Sequence, residues 1–115
     1  MNIEELRDFC LALKGVTEHF PFDEKTLVFK VGGKMFCLTD LEKPFFLNLK
    51  NDPEKNVELR ERYACVRPGY HMNKRHWNTL VLDGSLTPKL VRELCDHSYA
   101  LVVAKLPKRD REGLV

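Results

Sequence analysis

The sequence predicts an α+β fold: an antiparallel sheet of about four to five strands with helices packed on one face. Three observations carry this expectation. Two apolar-rich runs, Thr26–Val31 and Lys34–Thr39, are separated by Gly32-Gly33, the spacing and composition of a two-residue β-hairpin. Helical periodicity is confined to the two ends and one short middle segment, giving the order α-β-β-β-α-β-α. A hairpin at the centre of such an order builds an antiparallel sheet, not a doubly wound parallel one. The 115 residues suit a single domain, 1–115, with one core.

Taken in order, Asn2 and Glu5 have capping-box spacing, and Ile3, Leu6, Cys10 and Leu13 follow on one helical stripe with Phe9 beside it. Gly15 is the expected stop, so the first helix covers about 3–14, with Glu4, Glu5 and Asp8 outward. Glu18-His-Phe-Pro-Phe-Asp is a connector, because Pro21 excludes regular structure; Phe20 and Phe22 are expected to plug a core edge. In the hairpin, a two-residue turn pairs Val31 with Lys34, Phe29 with Phe36 and Leu27 with Leu38, and this face is expected to be the core. Thr26, Val28, Lys30, Met35, Cys37 and Thr39 then form a mixed opposite face.

Asp40–Pro44 is a turn, and Phe45–Lys50 alternates as a third strand. Asp52 as N-cap with Pro53 at the first helical position opens a helix over about 53–63, seated by Val57 and Leu59. Cys65–Pro68 is irregular or a brief strand, and Trp77–Leu82 is a further strand closed by Asp83-Gly84. Thr87-Pro88 caps a long helical pattern through Val102, in which Asp96-His-Ser is expected to introduce a break. Residues 105–115 form a basic tail expected to be frayed.

A net charge of +2 argues for no partner by itself; its distribution is more informative. Between Glu61 and Asp83 lie Arg62, Arg67, Lys74 and Arg75 without one carboxylate, so that window carries +4 while the remainder, 15 basic and 17 acidic residues, carries −2. The same window holds the only Trp, Tyr70, His71 and His76. No apolar run approaches the roughly 20 residues that cross a bilayer, and the acidic, amphipathic N-terminus is the reverse of a secretory n-region. A cytoplasmic location is expected. Cys10, Cys37, Cys65 and Cys95 form no C-x-x-C or Cys/His cluster and are expected to be reduced and mostly buried.

Four stretches carry a family likeness: Phe-Pro-Phe from Phe20, Thr-Leu-Val-Phe-Lys-Val-Gly-Gly-Lys-Met-Phe from Thr26, Pro-Gly-Tyr-His-Met-Asn-Lys-Arg-His-Trp-Asn-Thr from Pro68, and His-Ser-Tyr-Ala-Leu-Val-Val-Ala-Lys-Leu-Pro-Lys from His97. With these, essentially the whole chain resembles the MmcQ/YjbR family. The resemblance implies a CyaY-like (frataxin-like) α+β fold and DNA binding through a double-wing arrangement of hairpins. It brings no enzymatic activity and no cofactor. One departure is Asp23, where relatives often carry Gly.

Nucleic-acid binding requires cations for phosphate and flat groups for bases. Arg67, Lys74 and Arg75 supply the first, Tyr70, His71, His76 and Trp77 the second, and Asn73 and Asn78 offer base-edge hydrogen bonds. Lys30 and Lys34 flank the hairpin turn, where a wing tip would reach a groove. The competing structural reading is that Trp77 covers a core edge and that Tyr70 and Met72 pin a loop. The expected partner is therefore nucleic acid, DNA before RNA, bound by a monomer.

Two alternatives come from other classes. One is a small-ligand or protein-binding module using Val28, Lys30, Met35 and Cys37 with Trp77. The other is an enzyme with a Cys65/His71 nucleophilic pair, although the chain has no P-loop, nucleophile elbow or dinucleotide fingerprint. His71 and His76, five residues apart, suit no common chelate spacing, and Glu4, Glu5 and Asp8 read as a solvated helix face, so no metal is expected.

Overall fold

The computed structural model describes residues 1–42 and 45–114. Helix α1 (Ile3–Ala12) precedes β1 (Val16–His19), β2 (Thr26–Val31), β3 (Lys34–Asp40) and β4 (Phe46–Lys50). Helix α2 (Pro53–Arg62), β5 (Val66–Pro68), β6 (Trp77–Val81), α3 (Pro88–Ala104) and α4 (Lys108–Glu112) complete the chain. The strands form one antiparallel sheet in the order β1-β2-β3-β4-β6-β5. The helices supply Leu6 and Cys10 from α1 and Val91, Cys95 and Val102 from α3 to the core, which lies on one face of the sheet.

The expected α+β class holds, with six strands instead of four or five. The strand that sequence reasoning missed is β1. Its four residues, Val-Thr-Glu-His, contain one apolar side chain, and only pairing with β2 (Val16 opposite Val31, Glu18 opposite Phe29) defines it. Of the expected Asp40–Pro44 turn, Asp40 accepts the Glu42 amide at 2.8 Å, while Lys43 and Pro44 lie outside the described residues.

The hairpin corrects the expected facing. Gly32 and Gly33 both have positive φ, the backbone a two-residue turn requires, and Val31 pairs with Lys34 as expected. Beyond it, Lys30 pairs with Met35 but Phe29 pairs with Cys37, leaving Phe36 as the extra residue of a β-bulge. A one-residue insertion exchanges the faces of everything after it. Phe36 and Cys37 therefore both reach the helix-covered core, and Leu38 joins Val28 on the opposite face, where Trp77 covers them with Met35 and Met72.

Ser98 explains how the sheet tolerates that bulge. Its hydroxyl donates to the Phe36 carbonyl at 2.6 Å and accepts the Lys50 amide at 2.9 Å, joining two ladder groups that the bulge separates. Ser98 is fully buried within an unbroken α3, so the break expected at Asp96-His-Ser is absent. Packing and two buried hydrogen bonds outweigh a small loss of helix propensity.

Three further expectations are corrected. Val57 is exposed, and α2 is seated by fully buried Asn56, with Leu59. Asp52 is the N-cap of α2 with Pro53 at the first helical position, as expected, although its side chain makes no cap bond and its Oδ2 lies 3.1 Å from His97 Nε2. Phe20 and Phe22 are 50% and 64% exposed rather than core plugs. The tail expected to be frayed carries α4; Leu106 is buried, and Leu114 packs against the core.

All four cysteines are free and buried, as expected. Cys10, Cys37 and Cys95, from three different elements, lie in the same core cluster, and burial, followed by the neighbouring thiols, pushes the Cys37 pKa well up. Among the described residues no helix is long and apolar enough to cross a membrane.

Candidate nucleic-acid interface

Antiparallel topology sorts the loops between the two ends of the sheet. The β2–β3 turn, the end of β4, the loop 69–76 between β5 and β6, and the start of β1 all fall at one end. Helix α3 finishes at this end too, because Gly32 of the hairpin turn is seated against Leu106, just past the α3 cap. A Cβ on Gly32 would lie 2.6 and 2.8 Å from the Leu106 methyls. The hairpin tip is therefore docked on the C-terminal segment and does not stand free as a wing.

Lys30, Lys34, Lys50, Lys74, Arg75 and Lys105 are brought to this end by four separate stretches of chain. Among the described residues, none of these six forms an ion pair. Lys50 has a lowered pKa, first because it is partly buried and then because the Lys105 charge repels it. Asp52 and Glu54, at the start of α2, line a shallow groove with Arg75 and so bring carboxylates to this end. The opposite end carries Asp23, Glu24, Asp40, Glu42 and Asp83, with Lys25 tied to Glu42 at 2.6 Å. Thus the two predicted segments, the Lys30–Lys34 hairpin and the Arg67–Asn78 block, meet at one end. Lys105 belongs to the expected basic tail, whereas Lys50 was not anticipated, because a single position at a strand end gains meaning only once the ends are aligned.

Loop 69–76 is held from below by α2. Arg60 donates from Nε to Asn78 Oδ1 at 2.6 Å and from Nη2 to the carbonyls of Lys74 and, at 3.3 Å, Trp77. Asn56 Nδ2 donates to the Arg75 carbonyl at 3.0 Å. Asn73 Oδ1 caps the amides of Arg75 and His76, and Lys74 Nζ reaches the Gly69 carbonyl at 3.2 Å. Gly69 is required because a Cβ there would lie 2.8 Å from Trp77 Cβ and 3.0 Å from the Trp77 carbonyl.

The expected site residues therefore divide. Lys30, Lys34, Lys74 and Arg75 share the basic end, while exposed Arg67 lies on edge strand β5 opposite Thr79. Tyr70, His71 and Asn73 are exposed, and His76 is half-buried with its carbonyl accepting the Asn51 amide.

Two expected contacts are corrected. Trp77, 8% exposed, lies under Met72 as part of the small apolar cluster on the uncovered sheet face, so its ring is not a free platform. Asn78 is buried, with Oδ1 bonded to Arg60 and Nδ2 to the Asn56 carbonyl at 3.3 Å, leaving no base-reading edge. The mixed-face alternative is likewise rearranged, since Cys37 points into the core while Val28, Met35 and Trp77 stay together. Cys65 and His71 flank opposite ends of β5 and form no pair, and the Cys65 pKa is raised by burial and then by the Asp83 charge.

Comparison with known proteins agrees with this fold. The YjbR family model matches residues 11–101. The chain is 39% identical over 110 residues to the uncharacterized protein YbdF of Escherichia coli O157:H7, covering 95% of this chain and 90% of that protein. It is 37% identical over 116 residues to YjbR of Escherichia coli K12, covering 100% and 98%. The crystal structure of Deinococcus radiodurans DR2400, a DUF419 domain, superposes with a TM-score of 0.93 at 44% identity, covering 98% of this chain and 87% of that one. A Pseudomonas syringae protein superposes with a TM-score of 0.77 at 26% identity, covering 88% and 98%. By the family match and by the identity to relatives over their full length, the chain belongs to the YjbR family.

Proposed function

We propose that this protein binds nucleic acid, DNA foremost, by laying its phosphate backbone across the basic end of the sheet. The observation that supports this most is the convergence of Lys30, Lys34, Lys50, Lys74, Arg75 and Lys105 from four segments onto one end, where they outnumber the Asp52 and Glu54 carboxylates beside Arg75. The turn at Lys34 and the loop at Lys74 are separated by the width of about three strand spacings, roughly 14 Å, so a backbone crossing the end meets both. The cations position the backbone and carry no sequence code, giving affinities on the order of 10⁻⁴–10⁻⁶ M at physiological salt.

The test is a salt titration of duplex and single-stranded oligonucleotide binding. Log affinity should fall linearly with log salt, with a slope of about −3 to −5 for four or five neutralised phosphates. Lys34→Ala and the double variant Lys74→Ala/Arg75→Ala should each weaken binding to all sequences alike and flatten the slope by about one per cation removed. Binding that ignores salt, or that survives both sets of changes, refutes the proposal.

A further inference from the structure

We propose, resting on the phosphate-binding reading above, that Tyr70 is a stacking subsite for one unpaired base, so that the preferred ligand is a single strand. Tyr70 is 70% exposed, the most exposed large apolar side chain among the described residues. With Trp77 buried beneath Met72, Tyr70 is the large aromatic ring of loop 69–76 that stays exposed, with the His71 imidazole beside it.

Its backbone is nevertheless among the best anchored in the loop. The Tyr70 amide donates to Thr79 Oγ1 at 2.9 Å, and that hydroxyl donates to Asn48 Oδ1. The preceding residue, Gly69, is buried and donates to the Trp77 carbonyl at 2.9 Å. On the other side, the His71 ring lies 4.0 Å from the Tyr70 ring, tilted by 51°. His71 holds this place with φ 58°, the one non-glycine residue with positive φ among the described residues. Strain of this kind persists where the surroundings enforce it, and it gathers at binding sites.

A ring held in place yet left in water loses little freedom when a flat partner covers it. The partner's class follows from the neighbours: Arg67 lies on β5 opposite Thr79, the residue that anchors Tyr70, and Lys74 bonds the Gly69 carbonyl. An exposed ring on a loop whose anchoring residues are paired with Arg67 and bonded by Lys74, neither of them in an ion pair among the described residues, suits a base attached to phosphate. In a duplex the faces of the bases are covered by their neighbours, so this subsite takes a base only from a single strand or a frayed end.

The experiment compares a 12-nucleotide single strand, as DNA and as RNA, with an abasic strand of equal phosphate number and with a duplex. Wild-type protein should bind the base-bearing strands roughly tenfold more tightly than the abasic one, the scale of one base on one aromatic ring. Tyr70→Ala should erase that gap while keeping abasic affinity, salt slope and thermal midpoint; Tyr70→Trp should preserve it. Equal binding of abasic and base-bearing strands by wild type, or a gap that survives in Tyr70→Ala, overturns the stacking subsite and leaves phosphate binding intact. A duplex bound more tightly than the single strand also overturns it. Failure to bind any of these ligands at low salt overturns both readings.

Discussion

Replacing Ser98 with Ala removes one oxygen atom and should cost far more than its size suggests. That oxygen bridges the Phe36 carbonyl and the Lys50 amide at 2.6 and 2.9 Å, in a fully buried position. Without it two backbone groups are left unpaired in the core, each worth about 1–3 kcal/mol. Partial closure of the strands across the gap recovers some of this, so a net loss of about 2–4 kcal/mol is expected. Folding entropy of about 2.1 cal/mol/K per residue gives roughly 0.24 kcal/mol/K for a chain of this length, so the thermal midpoint should fall by about 8–16 °C. Urea unfolding followed by circular dichroism should show a lower midpoint at unchanged slope. The sign of the effect is decisive. If helix propensity ruled this position, Ala would be the better residue by up to about 0.5 kcal/mol, as it should be at exposed Asp96 on the same helix. A Ser98→Ala protein as stable as wild type refutes the role assigned to Ser98 at the bulge.

Two other outcomes follow from the same coordinates. Gly32→Ala should destabilise more than Gly33→Ala: both residues have positive φ, but only Gly32 has a neighbour, Leu106, where the new methyl would sit. Equal urea midpoints for the two variants would show that the turn does not rest on the C-terminal segment. Stability should also fall in acid. The Glu18 pKa is lowered chiefly by the Arg7 guanidinium, Asp23 by the Lys25 and then the Thr26 amide, and Asp83 by the Ser85 hydroxyl and then its amide. Because these folded pKa values lie below the unfolded ones, their stabilisation is complete above the usual carboxylate range, about pH 4, and is lost as pH falls through the folded values. In Arg7→Ala, the part of the acid dependence belonging to Glu18 should disappear from a series of urea midpoints.

What could be read in advance depended on how local each determinant is. Asn2 does accept the Glu5 amide, at 2.8 Å, and Thr87 accepts the Leu90 amide, at 3.1 Å, because caps are written within four residues. The Gly32-Gly33 turn and the alternation of β4 are equally local. The bulge at Phe36 is not, since it is stabilised by Ser98, 62 residues further along. The same holds for β1, a strand only by virtue of β2, and for Asn56, which looks like a surface residue until the Arg75 carbonyl arrives to accept its amide. Within the candidate site, the composition of the Arg67–Asn78 block revealed its charge but not its facing. Trp77 and Asn78 begin β6, and their sides were set by Met72 and by Arg60.

The separation of charge between the two ends of the sheet has a kinetic consequence. A body with Lys34, Lys74 and Lys105 at one pole, in excess of Asp52 and Glu54 there, and Asp23, Asp40 and Asp83 at the other is an electric dipole, and it feels a torque near a polyanion before it touches it. It would arrive pole-first, with fewer fruitless collisions than an evenly charged protein of the same +2 net charge. At physiological ionic strength this turning acts only over the last 8 Å or so, so salt should slow the encounter itself as well as loosen the complex.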